Sequence, residues 1–152
     1  VLASDAVHKG WKIPETTLCY PWIRRMFPAA RYIIWTRDPR DSIVGAHKTD
    51  DLRDFGIAYP ETEDERERRA ISYLYQYRLV QAAPRPAHWI EVRFEDFVLH
   101  QEETLARLEE FLGIPLARIP VKTDPVGRHA RHPDILFPDF LNAALVEHGY
   151  MK

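Results

Sequence analysis

The sequence is poor in cysteine, in glycine and in long apolar runs. Its 152 residues include one cysteine, Cys19, and six glycines. A single cysteine excludes an internal disulfide and any zinc site built from several cysteines. No apolar run approaches the ~20 residues that a membrane-spanning helix needs. We therefore expect one soluble domain over residues 1–152, without a membrane span or a metal, in a reducing compartment such as the cytoplasm.

Neither sign of charge dominates the chain. The formal net charge is −2, from 21 Lys and Arg against 23 Asp and Glu. This balance gives no overall attraction to nucleic acid, so we expect no nucleic-acid partner. Arginine nevertheless outnumbers lysine by 16 to 5. Because a planar guanidinium can bind phosphate or carboxylate through paired hydrogen bonds, local anion sites are compatible with the composition.

Hydrophobic patterning predicts two strands separated by helices. The strand candidates, residues 31–36 and 88–94, are rich in β-branched and aromatic side chains, and we expect the first to be buried. Turn and cap signals predict three helix starts, near Pro21, at Pro39 after an Asp38 cap, and at the capping box Thr62-x-x-Glu65. Two more helices are predicted over residues 102–112 and 138–147. Residues 49–60 and 114–136 read as irregular segments. This order predicts an α/β fold with a parallel sheet.

The most informative segment is the junction between the first strand and the next helix. Arg37 ends the strand and Pro39 opens the helix. Ligands of open α/β sheets lie beyond the carboxyl ends of strands, and a helix N-terminus attracts anions. Arg37 adds a permanent charge, so the junction suits a phosphate or sulfate group. The alternative is that Asp38 and Asp41 only cap the helix and that Arg37 pairs with one of them.

Several motifs in order along the chain resemble the sulfotransferase family. They are Gly10-Trp-Lys-x-Pro14, Phe27-Pro-x-Ala-Arg-Tyr-Ile-Ile-x-x-Arg-Asp-Pro-Arg-Asp41, Val92-Arg-Phe-Glu-Asp-Phe97 and Glu103-Thr-Leu-x-x-Leu-x-x-Phe-Leu-Gly-Ile114. Val126-Gly-Arg128 and the end of the chain resemble its bacterial members. No single motif is decisive, and the joint order makes the resemblance specific.

The resemblance implies a P-loop-like three-layer fold that uses 3′-phosphoadenosine 5′-phosphosulfate (PAPS). The family transfers the sulfuryl group to a hydroxyl or amine without a required metal. Arg37 matches the arginine that holds the 3′-phosphate of the donor, and Arg128 resembles a position that closes over the donor phosphate. The acceptor would be a small molecule, a glycan or a lipid.

Two departures from the family pattern concern the donor site. The family has a serine eight residues after the strand-end arginine, where this chain has Gly45; Ser42, His47, Lys48 or a backbone N–H could replace that contact. The chain also lacks a Lys-x-Gly-Thr-Thr loop for the 5′-phosphosulfate. Since it begins at Val1 without a signal-peptide pattern, we expect a C-terminal portion or a processed chain, missing the first strand and loop and holding only the 3′-phosphate half of the site.

The catalytic groups are predicted near the N-terminus. Trp11-Lys-Ile-Pro-Glu15 resembles the family segment where acceptor and catalytic groups meet. Lys12 would balance charge on the leaving phosphate, and Glu15 would accept the proton of the acceptor. The simpler alternative is that Lys12 is a surface side chain and that Glu15 only favours a helix start.

The remaining chemistry-bearing side chains receive structural interpretations. We expect Phe94 to belong to the core rather than to stack on adenine, and Glu95 and Asp96 to cap the helix that follows. His129 and His132 have the spacing of metal ligands but lack a third ligand. The side chains expected to be buried are Cys19, Trp22, Trp35, Tyr73, Tyr77 and Trp89.

Two other functions are compatible with the same fold. A kinase-like phosphoryl transferase would need a Walker-type glycine loop, and the dispersed glycines do not form one. A non-catalytic nucleotide-binding or interaction domain would need no reactive loop. The sequence does not predict the oligomeric state.

Overall fold

The computed structural model describes residues 5–151, and its centre is a small parallel sheet. Strand β1 (Tyr32–Thr36) pairs with β2 (Trp89–Arg93), in a register that sets Tyr32 opposite Trp89 and Thr36 opposite Arg93. Parallel strands need a crossover connection, and here the chain passes through two helices between them. Both predicted strands are therefore confirmed to within one residue at each end.

Six α-helices are found in the part of the chain that the structure describes. They are α1 (Tyr20–Met26), α2 (Pro39–Val44), α3 (Glu65–Ala82), α4 (Phe94–Leu99), α5 (Gln101–Leu112) and α6 (Asn142–Glu147). Short 3-10 turns cover Pro14–Thr17, Leu52–Phe55, Arg128–Arg131 and Asp139–Leu141. The predicted helix starts at Pro21 and Pro39 and the helix end before Gly113 agree with these bounds. Helix α4 was not predicted, since Phe94 was assigned to the strand.

The N-terminal caps confirm one prediction and correct another. Asp38 caps α2, accepting the N–H of Arg40 at 2.9 Å. Helix α3 is capped by Asp64, which accepts the N–H groups of Arg66 and Glu67. The predicted capping box at Thr62 is therefore wrong by two residues, and the Thr62 hydroxyl bonds the Glu67 side chain instead.

The main hydrophobic core lies among helices and not on the sheet. Ile43 of α2, Ala70 and Leu74 of α3, and Leu141 and Ala144 at the C-terminal end form one buried cluster. Tyr73 and Phe137 pack against it. The C-terminal segment therefore closes the core that α2 and α3 begin.

Several side chains expected in the core are exposed. In β1, Ile33 is 40% exposed and Trp35 is 47% exposed, so the strand is not buried as predicted. Trp35 meets the rings of Phe94 and Phe97 but has no further layer above it in residues 5–151. Trp22 is 61% exposed and Cys19 is also exposed. These side chains are exposed because a two-stranded sheet is narrow and its neighbouring helices are short, so that each element is covered only in part.

The α/β prediction is confirmed at the level of a mixed fold with a small parallel sheet. The finer prediction of a three-layer P-loop-like fold stays a prediction, as does the single domain over 1–152. No helix among residues 5–151 is long and apolar enough to cross a membrane.

Candidate functional site

Arg37 lies immediately beyond the carboxyl end of β1. Its Nη2 donates to the carbonyl of Pro125, and its guanidinium lies over the Phe94 ring, 4.5 Å from the ring centre. The side chain is 23% exposed, while its buried Nε has no hydrogen-bond partner among the described residues. The guanidinium is thus held against a carbonyl and an aromatic face, with part of its donor capacity unused.

Asp41 does not neutralise Arg37 in a close ion pair. The nearest oxygen of this fully buried carboxylate is 4.0 Å from Arg37 Nη2. The carboxylate accepts instead from the backbone N–H of Gly127 at 2.7 Å and of His129 at 2.8 Å, and contacts His129 Nδ1 at 2.6 Å. Burial raises the pKa of Asp41, but these hydrogen bonds outweigh it and hold that pKa below its ordinary value.

Arg128 lies in the same region as Arg37. We call the region that contains Arg37, Asp41 and Arg128 the corner. Its Nε donates to the backbone carbonyl of Asp41 at 2.6 Å, and its guanidinium lies against Gly45. Burial lowers the pKa of Arg128, and the positive charge of Arg37 lowers it further. The 3-10 turn Arg128–Arg131 packs against α2, which begins two residues after Arg37, and this packing brings the two arginines into one region.

The N-terminus of α2 contributes less than expected. Proline 39 has no N–H, the N–H of Arg40 is taken by Asp38, and the helix has only six residues. Ser42, one of the predicted replacements for the missing serine, donates its hydroxyl to the Asp38 carbonyl at 3.2 Å. In this arrangement the Ser42 hydroxyl is engaged by the helix backbone. The positive charges near the start of α2 therefore come from the guanidinium groups of arginines.

Lys12 and Glu15 precede α1 in the chain. Lys12 is exposed, and Glu15 belongs to the turn Pro14–Thr17, which packs against α1 and α3. No hydrogen bond or ion pair between described residues joins either side chain to Arg37, Ser42 or Arg128. Arg37 and Arg128 therefore both contact Asp41, and within residues 5–151 no such contact reaches the two catalytic candidates, whose roles stay predictions.

Glu95 and Tyr150 are partners that the sequence reasoning missed. Glu95 accepts the N–H of Asp38 at 3.0 Å and the Tyr150 hydroxyl at 2.8 Å, so it links the end of β1 to the C-terminal segment. The predicted cap role of Glu95 is therefore wrong. A carboxylate directly after a parallel strand was the available signal, because the carboxyl ends of paired parallel strands lie together.

A polar cleft of about 240 Å³ opens beside this corner. Thr36 and Arg93 line it from the two strands, together with Glu91 and His148, and burial lowers the pKa of His148. Arg37 does not line this cleft, nor a second, mostly apolar one of about 250 Å³ beside Pro21 and Leu79. The Arg37 and Arg128 pair therefore lies next to the polar cleft and outside it.

Comparison with known proteins identifies the class. The model of the sulfotransferase family matches residues 3–118, well over half of the chain. The chain therefore belongs to the sulfotransferase family. No curated protein and no solved structure matches it. The match contains Lys12, Glu15, Arg37 and Ser42, whereas Arg128 lies beyond it.

Proposed function

We propose that this chain binds PAPS as the donor in sulfuryl transfer to a hydroxyl or amine acceptor, and that Arg37 holds the 3′-phosphate of the donor. Membership of the sulfotransferase family establishes the class of transferase. The observation that carries the donor assignment is the position of Arg37, beyond a parallel strand and without a carboxylate of residues 5–151 in hydrogen-bond contact. Ligands of α/β sheets bind at such strand ends.

The charges around Arg37 support a phosphate ligand. Arg37 and Arg128 carry two positive charges, while the carboxylate of Asp41 is engaged by Gly127 and His129. A phosphate dianion would relieve the repulsion between the guanidinium groups. Each guanidinium can offer it a fork of N–H donors.

Phe94 has a positioning role in this proposal. The guanidinium of Arg37 covers one face of the Phe94 ring, and the Trp35 ring meets Phe94 edge-on at a centroid separation of 6.4 Å. A cation held over an aromatic face is attracted to it. Phe94 therefore orients Arg37, which agrees with its expected place in the packing. The ring face that Arg37 covers is not open to stacking by adenine.

The donor, when bound, supplies the sulfuryl group, and the chain's own residues bind and orient it. Lys12 and Glu15 remain our candidates for charge balance and for proton acceptance. The acceptor, a small molecule, glycan or lipid, would contact the irregular segments 49–60 and 114–136. Residues 125–128 of the second segment lie at the donor corner, through Pro125 and Arg128.

Titration calorimetry with adenosine 3′,5′-bisphosphate tests the donor assignment. Arg37→Ala should weaken binding by about tenfold or more, since it removes a charge-assisted contact. Arg53→Ala is the matched control, because Arg53 is paired with Asp51 at 2.7 Å on another surface. Equal losses in the two variants would contradict the assignment, and tighter binding of ATP with magnesium would favour a phosphoryl transferase.

A further inference from the structure

One side of helix α1 is apolar and exposed. Trp22, Arg25 and Met26 are spaced by three and four residues, so they lie on the same side of the helix, and all three are exposed. Met26 is 70% exposed, whereas Tyr20 of the same helix is buried. Helix α1 packs against α3 and the turn Pro14–Thr17. The side with Trp22 and Met26 is therefore left without cover from residues 5–151.

The segment before α1 extends this apolar surface. The Trp11 ring meets the Phe27 ring edge-on at a centroid separation of 5.5 Å, so this segment and the end of α1 lie together. Both rings are exposed in part, and more than half of Ile13 is exposed. We call the exposed side chains Trp11, Ile13, Trp22, Met26 and Phe27 the aromatic patch. An exposed apolar patch of this kind marks a surface that meets a partner.

Positive charge accompanies the aromatic patch. Residues 6–31 carry a formal charge of +4 from five cationic side chains and one carboxylate, although the whole chain carries −2. The six are Lys9, Lys12, Arg24, Arg25 and Arg31 against Glu15. Neither Arg24 nor Arg25 forms an ion pair with a carboxylate in the described part of the chain. This surface is therefore complementary in charge to an anionic partner.

An apolar cleft lies beside the same arginines. It has a volume of about 250 Å³ and separates α1 from the end of α3. Its lining residues are Pro21, Arg24, Arg25, Leu79, Ala82, Ala83 and Pro84. The buried Nε of Arg24 has no hydrogen-bond partner among residues 5–151. Apolar walls next to two guanidinium groups suit a molecule that joins a hydrocarbon chain to an anionic headgroup.

A lipid surface fits these features better than a protein does. In a twofold pair of copies of this chain, Arg24 and Arg25 would face the same arginines of the other copy, and like charges repel. An acidic peptide would match the arginines but would place its polar groups against Trp22 and Met26. The boundary of a bilayer supplies both anionic headgroups and apolar acyl chains, and tryptophan and arginine are well suited to it.

We propose that the aromatic patch, together with Arg24 and Arg25, docks the protein on the surface of an anionic lipid bilayer. Trp22 and Met26 then insert between the lipid headgroups, and the arginines bind the headgroup phosphates and carboxylates. This inference goes beyond the proposed function and does not rest on it, since neither Arg37 nor Arg128 takes part in the docking.

Cosedimentation of the full chain with lipid vesicles tests the proposal. Vesicles of phosphatidylcholine with about one third phosphatidylserine should bind the chain at least tenfold more tightly than vesicles of phosphatidylcholine alone. Raising the salt concentration from about 0.1 M to about 0.5 M should release most of the bound chain, because salt screens the attraction between the arginines and the headgroups.

Two variants identify the surface that binds. Arg25→Gln should weaken binding to the anionic vesicles about fivefold, the usual effect of one basic residue near such a surface. Trp22→Ala should weaken it about tenfold, because it removes apolar area that the bilayer would bury. The matched controls are Arg107→Gln on α5 and Leu136→Ala in the segment 114–136, both exposed and outside the patch. These controls should bind as the wild type does.

Urea unfolding checks that each variant folds. Trp22 and Arg25 are exposed, so their variants should unfold at the same urea concentration as the wild type. If Trp22→Ala does not fold, Met26→Ala tests the same side of α1. Equal losses of binding in the variants and in their controls would overturn the proposal.

The other outcomes also decide the question. Binding to neither kind of vesicle, or equal binding to both, would overturn the proposal. So would a dimer in analytical ultracentrifugation that Trp22→Ala dissociates, or binding of polyglutamate in place of vesicles, since these would identify a second copy or an acidic protein as the partner. Titration with adenosine 3′,5′-bisphosphate measures the proposed function separately, so either idea can fail while the other holds.

Discussion

At the level of single residues, the buried carboxylate of Asp41 determines where two arginines lie. It holds Gly127 and His129, and so places Arg128, while it stays 4.0 Å from Arg37. A residue expected either to cap a helix or to pair with Arg37 thus anchors a segment that is distant in sequence. The cationic character of the corner depends on that anchoring.

Asp41→Asn should destabilise the protein by about 2 kcal/mol or more, because buried charge-assisted hydrogen bonds become weaker and one amide donor faces other donors. The free energy of unfolding in urea measures the loss. Asp54→Asn is the control, since Asp54 is exposed. A loss in Asp41→Asn no greater than in the control would show that the carboxylate does not anchor the 125–129 segment.

The same carboxylate should make stability depend on pH. Because the pKa of Asp41 is lowered in the folded state, its contribution is fully present above the unfolded pKa of about 3.9. That contribution is lost as the pH falls below this value and through the folded pKa. Urea unfolding between pH 6 and pH 3 should therefore show a steeper acid loss for the wild type than for Asp41→Asn, whereas parallel curves would contradict the shift.

The sequence predicts the position of Arg37 but not its surroundings. A strand pattern followed by Asp38-Pro39 locates the arginine at a strand end from local signals alone. The contacts of Asp41 with Gly127 and His129 join residues 86 and 88 positions apart. No local pattern encodes such a contact.

At the level of elements, the cap of α3 provides a direct comparison. Asp64 accepts two helix N–H groups, whereas Thr62 accepts the N–H of Asp64. Asp64→Ala should cost about 1 kcal/mol, the usual value of an N-cap, and Thr62→Ala should cost less. The free energies of unfolding of the two variants in urea check this order. A larger loss of stability in Thr62→Ala would show that Thr62, and not Asp64, is the more important cap.

Element bounds are well predicted where the signals are local. The strand lengths, the start of α2 after Asp38 and the end of α5 before Gly113 all follow from neighbouring residues. The shift of the α3 cap arose because Thr62 and Asp64 are both good caps two residues apart, and the sequence offers no means to choose between them. Burial of β1 was predicted wrongly because it depends on which elements cover Ile33 and Trp35.

At the level of the whole molecule, stability should come from the helical cluster more than from the sheet face. Ile43 is 1% exposed in that cluster and Ile33 is 40% exposed on β1. Ile43→Ala should cost about 2–5 kcal/mol, the usual range for a buried isoleucine truncation. Ile33→Ala makes the same chemical change and should cost less than Ile43→Ala, because Ile33 is already partly exposed in the folded state and loses less buried area.

Thermal or urea unfolding of these two variants measures the difference. Equal losses would mean that the β1 face is buried in solution, for instance against another chain, and that the core extends beyond the helical cluster. A larger loss in Ile33→Ala would place the main core on the sheet.

The central claim is that Arg37 holds the 3′-phosphate of the donor. The most direct measurement is a crystal structure of the chain with adenosine 3′,5′-bisphosphate. We predict oxygens of the 3′-phosphate at about 3 Å from the guanidinium nitrogens of Arg37, the distance of a charge-assisted hydrogen bond. A nucleotide bound elsewhere, with Arg37 still engaged only by the Pro125 carbonyl and the Phe94 ring, would contradict the claim.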